Sequence, residues 1–103
     1  MVGVVRVFTT GLVIQEVLQG AVVPSQAARI STMLSSLPYA SATRETHLRA
    51  AALYRKLRAA GVTVPSIDVT LAQLALDLRA RVWSLDDHFV AIASASKLKI
   101  FKP

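Results

Sequence analysis

Three acidic residues lie within apolar segments of a chain that is otherwise strongly basic. Glu16 lies in Val-Ile-Gln-Glu-Val-Leu, Asp68 in Ser-Ile-Asp-Val-Thr-Leu, and Asp86 follows Val-Trp-Ser-Leu. A carboxylate beside residues destined for a core is costly to desolvate unless its charge is compensated. Carboxylate oxygens are the ligands that hard divalent cations prefer. The sequence therefore predicts one site for Mg2+ or Mn2+, assembled by the fold from Glu16, Asp68 and Asp86.

Asp68 also has a purely structural interpretation. Ser66 is a good N-cap residue, so Asp68 falls in the first turn of a predicted helix. The helix dipole stabilises a negative charge there without any ligand. Both interpretations of Asp68 stay open at this point.

The segments around these acids predict strands that alternate with helices. Short β-branched or apolar runs predict the strands, and apolar spacing of three and four residues predicts the helices. The predicted strands are residues 4–8, 39–41, 81–85 and 98–101. The predicted helices are residues 10–19, 24–37 and 44–60, a helix that follows Ser66 and carries Val69, Ala72 and Leu76, and a short one around 89–92. This order predicts an α/β fold with a short parallel sheet and helices on both faces. Asp86 follows a predicted strand, and ligand sites of such sheets lie outside the carboxyl ends of the strands.

Composition limits the range of partners. The 103 residues predict a single domain, residues 1–103, and 53% hydrophobic content is ample for a core. Charges recur too often for an apolar run of about 20 residues, so no membrane association is expected. The lack of cysteine fits a reducing cytoplasm. The net charge of +6 favours a polyanionic partner, either a nucleic acid or an acidic protein.

Three arginines share one side of the predicted helix 44–60. Arg44, Arg55 and Arg58 lie opposite the apolar side of that helix. They form either a solvated surface or a set of contacts to an RNA backbone, and the sequence supports both interpretations.

Four segments, in this order, resemble the PIN-domain ribonuclease toxins of the VapC type, the toxins of VapBC toxin–antitoxin pairs. They are VIQEVLQG at 13–20, AALYRKLRAAG at 51–61, VPSIDVTLAQLA at 64–75 and VWSLDDHFVAIA at 82–93. The resemblance covers nearly the whole chain. It implies Mg2+- or Mn2+-dependent cleavage of RNA, a homodimer, and a partner antitoxin of the VapB type.

The resemblance also assigns roles to individual residues. It makes Glu16, Asp68 and Asp86 the catalytic metal ligands. His88 stands where many members of the family carry a further aspartate, so it is expected at the periphery of the site. Ser84 matches a serine or threonine position that orients a metal-bound water in the family. Asp87 is either a solvent-facing neighbour or a peripheral group.

One departure concerns the first ligand of the family. These toxins usually begin with a strand that ends in Asp-Thr/Ser-Ser, whereas this chain has no acid before Glu16. The expected missing unit is one strand and one helix, about 30 residues by the usual size of such units. Either the protein is truncated or its true start lies upstream of Met1. Weak or absent ribonuclease activity is expected for the chain as given.

Three functions remain in competition. The first is a metal-dependent endoribonuclease toxin. The alternative is a catalytically dead PIN-like protein that still binds an antitoxin. The third, a non-enzymatic RNA-binding module, has less support because no aromatic-rich platform or glycine-rich RNA loop is present.

Overall fold

The computed structural model describes residues 8–84 and 86–101, and the regular secondary structure within these ranges is α-helical. The chain divides into two compact units, Met1–Ser41 and Ala42–Pro103. The first unit contains α1 (Gly11–Gln19) and α2 (Pro24–Ser35), and the second contains α3 (Arg44–Ala59), α4 (Ser66–Leu78) and α5 (Asp87–Ser94).

The predicted α/β fold with a parallel sheet and helices on both faces is wrong. Within the described ranges, only two isolated parallel bridges occur, Thr9 with Tyr39 and Val82 with Ile100. The predicted strands at 39–41 and 98–101, and residues 81–84 of the predicted strand 81–85, thus shrink to single bridged residues. Residues 4–7 of the first predicted strand and residue 85 lie outside the described ranges.

The exposure of residues 81–84 does not fit a strand inside a parallel sheet. A strand inside a parallel sheet is buried on both faces, so its side chains are almost all apolar and covered. Here Arg81 and Trp83 are exposed, while Val82 and Ser84 are only partly buried. The residues that looked like a buried strand therefore form an extended segment at the surface of a helical unit.

The core of the second unit lies where α3, α4 and α5 pack together. The spacing of Ala50, Leu53 and Leu57 places them on one side of α3, and Phe89 and Ile92 do the same on α5. Leu57, Val69 and Ile92 are the largest fully buried side chains. The remaining members of this core are Val64, Ala72, Ala75 and Leu98.

Local signals fix the ends of α3. The Thr43 hydroxyl accepts from the Thr46 amide at 3.3 Å, and the Thr46 hydroxyl accepts from the Thr43 amide at 3.0 Å. This reciprocal capping satisfies two amide donors at the start of the helix. After α3, Gly61 adopts φ +84°, a conformation that residues with a side chain rarely adopt.

A bidentate ion pair joins α3 to α4. The Arg49 Nε donates to Asp77 Oδ1 at 3.0 Å, and its Nη2 donates to Oδ2 at 2.8 Å. The Gln73 amide also donates to Asp77 Oδ1 at 2.8 Å. The hydrogen bonds from Arg49 lower the pKa of Asp77 below its usual value, although partial burial opposes this effect.

Asp77→Asn should therefore lower the melting temperature at neutral pH. The melting temperature of this variant should also fall less than that of the wild type when the pH is lowered. Because the pKa of Asp77 is lower in the folded state than in the unfolded state, its contribution is complete above the unfolded value of about 3.9. That contribution is lost as the pH falls through the lower folded value. Thermal denaturation between pH 2 and pH 7 measures the effect.

Glu16→Gln is the matched control for this change, because Glu16 is an exposed carboxylate of the first unit. If the melting temperatures of the wild type, Asp77→Asn and Glu16→Gln all fell equally as the pH was lowered, the ion pair would add nothing to stability.

Candidate metal site

Asp86 is held at the start of α5 by two local hydrogen bonds. As the N-cap residue, it accepts at Oδ1 from the His88 backbone amide at 2.9 Å. Its own amide donates to the Ser84 hydroxyl at 3.0 Å. Ser84 therefore positions the backbone of Asp86, and the cap positions its carboxylate.

Packing of α4 against α5 brings a second carboxylate to the same place. Asp68 lies in the first turn of α4, and His88 lies in the first turn of α5. The His88 Nδ1 atom is 2.8 Å from Asp68 Oδ2 and 3.2 Å from Asp86 Oδ1. The Asp68 side chain is 13% exposed, whereas those of His88 and Asp86 are about half exposed.

These three residues form the candidate metal site of the second unit. One ligand atom from each of Asp68, Asp86 and His88 lies within 4.8 Å of the other two. Two carboxylate oxygens and one imidazole nitrogen suit Mn2+ better than Mg2+, because Mg2+ prefers a shell of oxygen atoms alone. The donor set therefore fits a divalent cation, with Mn2+ preferred.

The same geometry also serves a structural purpose. When Nδ1 carries a hydrogen, His88 donates it to Asp68 and links α4 to α5. When the hydrogen is on Nε2, Nδ1 presents a lone pair toward the two carboxylates, which is the form that binds a cation. The Nδ1 atom therefore cannot donate to Asp68 and bind a cation at the same time.

The structure joins two of the three predicted ligands. Asp68 and Asp86 lie together as expected for a shared site. Glu16 lies on the exposed side of α1 in the first unit, and its role as a ligand stays a prediction. His88, which the resemblance placed at the periphery, is the central member of the cluster. The Asp-x-His spacing at a helix start could have indicated this, because an N-cap side chain returns to the amide two residues later.

The remaining predicted residues have simpler surroundings. Asp87 is an exposed residue in the first turn of α5. Arg44, Arg55 and Arg58 are exposed on α3, and the Arg58 guanidinium lies 5.8 Å from the centre of the Tyr54 ring. Contact between these arginines and RNA stays a prediction.

Comparison with known proteins returned no match to any family model. No curated protein matches the chain either. Among the described residues, none of the helices has both the length and the apolar character needed to span a bilayer.

Asp68→Asn and Asp86→Asn should each weaken Mn2+ binding by at least about tenfold, in line with the loss found when groups that support metal sites are removed. Each substitution removes a charged ligand, and asparagine at position 86 still caps α5. Isothermal titration calorimetry with Mn2+ measures the affinity, and circular dichroism verifies the helical content.

The control for both variants is Asp87→Asn, which removes the same charge from the residue between Asp86 and His88 that is not a member of the cluster. If all three variants lost affinity equally, Mn2+ would be attracted by the general acidity of this surface, and the assigned ligands would be wrong.

Proposed function

We propose that this chain is a divalent-cation-dependent endoribonuclease of the VapC type. The observation that carries the proposal is the convergence of Asp68, Asp86 and His88 within 4.8 Å. The four sequence segments that resemble VapC toxins support it, because two of them supply these residues. Glu16 is the additional ligand that the same resemblance implies.

The residues of the cluster have distinct roles in this proposal. When bound, a divalent cation would activate a water molecule and stabilise negative charge on the attacked phosphate. Asp68 and Asp86 supply the negative charge that attracts the cation. His88 completes the donor set, and its removal from between the carboxylates would leave them to repel each other. Ser84 fixes the turn that orients Asp86.

RNA is the proposed substrate because of the charge of the chain. Its 12 basic residues exceed the 6 acidic ones, and Arg44, Arg55 and Arg58 are all exposed on α3. Contacts between arginine and phosphate give affinity with little sequence preference. Sequence or shape specificity would then come from unpaired segments of the RNA.

The proposal includes two protein partners and a cellular location. Large apolar side chains are exposed in each unit, among them Val22 and Met33 in the first and Leu48 and Trp83 in the second. Such surfaces favour association, either as a homodimer or with an acidic antitoxin of the VapB type. The cytoplasm is the proposed location, since RNA is the substrate and the chain contains no cysteine.

Cleavage of a structured RNA tests the ribonuclease directly. Purified protein should cleave the RNA only slowly, as expected for a cluster with two carboxylates. Cleavage should be faster with Mn2+ than with Mg2+, and EDTA should stop it. Asp86→Asn should reduce the rate to the EDTA background, because it removes a ligand while the cap of α5 is retained. Gel analysis of end-labelled RNA gives the rates.

Asp87→Asn is again the matched control and should cleave at the wild-type rate. Cleavage that persists in EDTA, or in Asp86→Asn, would come from another site or from a contaminant. Mn2+ binding at the cluster with no cleavage of any RNA would favour the alternative of a catalytically dead, antitoxin-binding protein.

A further inference from the structure

Helices α3 and α4 of the second unit border an open groove. Its volume is ≈ 590 Å3, within the range of about 300–1,000 Å3 that ligand sites occupy. The groove does not include the three residues of the candidate metal site. It is therefore a separate surface, and the proposed function uses only its exposed arginines, Arg55 and Arg58, for contact with RNA.

Much of the groove lining is apolar. Ala50 and Ala51 of α3 and Val69 of α4 line the groove, and the partly buried ring of Tyr54 lies beside them. The side chains of Ala50, Ala51 and Val69 are short, so a flat group can lie against them. The exposed side chain of Leu48 also lines the groove and adds apolar surface.

The rim of the groove is cationic. Arg55 and Arg58 both line it, and they stand three residues apart on α3, a spacing that places two side chains on neighbouring positions of one face. His47 lines the same groove, and none of its described lining residues is acidic. The rim is thus complementary to an anionic occupant.

An aromatic ring and a guanidinium are already paired at this rim. The Arg58 guanidinium lies 5.8 Å from the centre of the Tyr54 ring, within the range of a cation–π contact. Aromatic rings and arginine planes are the groups on which unpaired bases stack. Phosphate-binding charge and a stacking surface therefore occur together on one helix.

We propose that this groove binds unpaired nucleotides of RNA. Bases would lie against Tyr54 and the two alanines, with phosphates on Arg55 and Arg58. RNA as the occupant rests on the proposed ribonuclease function. The first turn of α4 connects the two surfaces, because Ser66 and Val69 line the groove and Asp68 belongs to the metal site.

Binding measured without cleavage tests this proposal. A fluorescein-labelled single-stranded oligoribonucleotide is titrated with protein in EDTA, and anisotropy gives the affinity over a series of salt concentrations. Arg55→Gln and Arg58→Gln are made as separate variants. In each of them the slope of log K against log salt should become less negative by about 0.7 for each phosphate that the variant no longer neutralises. Tyr54→Leu should weaken binding by about tenfold because bases can no longer stack on the ring.

Arg81→Gln is the matched control, because Arg81 is an exposed arginine of the second unit that does not line the groove. It should leave the salt slope unchanged. Equal losses of affinity in Arg81→Gln and in the groove variants would overturn the proposal, since binding would then follow overall charge. An unchanged affinity in Tyr54→Leu would also overturn it. Circular dichroism verifies that each variant is folded.

A second titration distinguishes RNA from a protein occupant. The probe is a labelled glutamate-rich amphipathic peptide, titrated under the same conditions. If it binds more tightly than the oligoribonucleotide and loses affinity in the Arg55 and Arg58 variants, the groove is a peptide site and the RNA assignment is wrong.

Failure of the groove proposal is distinguishable from failure of the proposed ribonuclease function. Asp86→Asn should bind RNA in EDTA at least as tightly as the wild type does, because it removes a negative charge, while it loses Mn2+ binding. RNA binding that depends on the groove residues, in a protein that never cleaves RNA, would overturn the proposed ribonuclease and retain the groove. Cleavage of RNA by a protein whose affinity for RNA does not depend on the groove residues would overturn the groove proposal alone.

Discussion

The described features of the second unit depend on the close packing of α4 against its two neighbouring helices. Val69 and Ala72 of α4 are almost completely buried, as are Leu57 of α3 and Ile92 of α5. The small side chain of Ala72 allows the helix backbones to approach closely, and burial of the larger apolar side chains supplies most of the favourable free energy. On one side, this packing brings Asp68 to His88. On the other, it forms the groove between α3 and α4.

The surroundings of the first turn of α4 differ in charge on its two sides. This turn carries Asp68 toward α5, whereas the groove beside α3 is lined by arginines. The Arg49–Asp77 ion pair lies farther along the same pair of helices and joins α3 to α4. The cluster of Asp68, Asp86 and His88 and the groove lined by Arg55 and Arg58 thus both include residues of the first turn of α4. In our proposal the first binds the metal ion and the second binds the phosphates of the RNA.

Helices were more predictable from the sequence than strands. The predicted helix at 44–60 agrees with α3, Arg44–Ala59, because a capping box, a regular apolar side and a glycine after the end are all local signals. The predicted N-cap of α4, Ser66, is instead its first helical residue, and Pro65 occupies the cap position. Residues 81–84 misled the prediction, since a short apolar run has no periodicity that separates a buried strand from a surface segment.

The candidate site was predictable in part. The apolar surroundings of Asp68 and Asp86 indicated two members of one cluster, although each also has a local role at a helix start. The central place of His88 was missed because it depends on the packing of α5 against α4, which joins residues 20 positions apart. The groove was missed for the same reason. Arg55, Arg58 and Tyr54 were visible on one helix, but its second wall belongs to α4.

The absence of buried residues from α1 and α2 has an energetic consequence for Glu16. Helices whose side chains are not buried open locally at little free-energy cost, so the conformation that presents Glu16 is only one of several that the first unit can populate. A ligand that used Glu16 would have to select that conformation, and its apparent dissociation constant would rise as the populated fraction fell. The affinity of such a ligand would then report how well ordered the first unit is, and anything that buried α1 and α2 would tighten binding without touching the ligand.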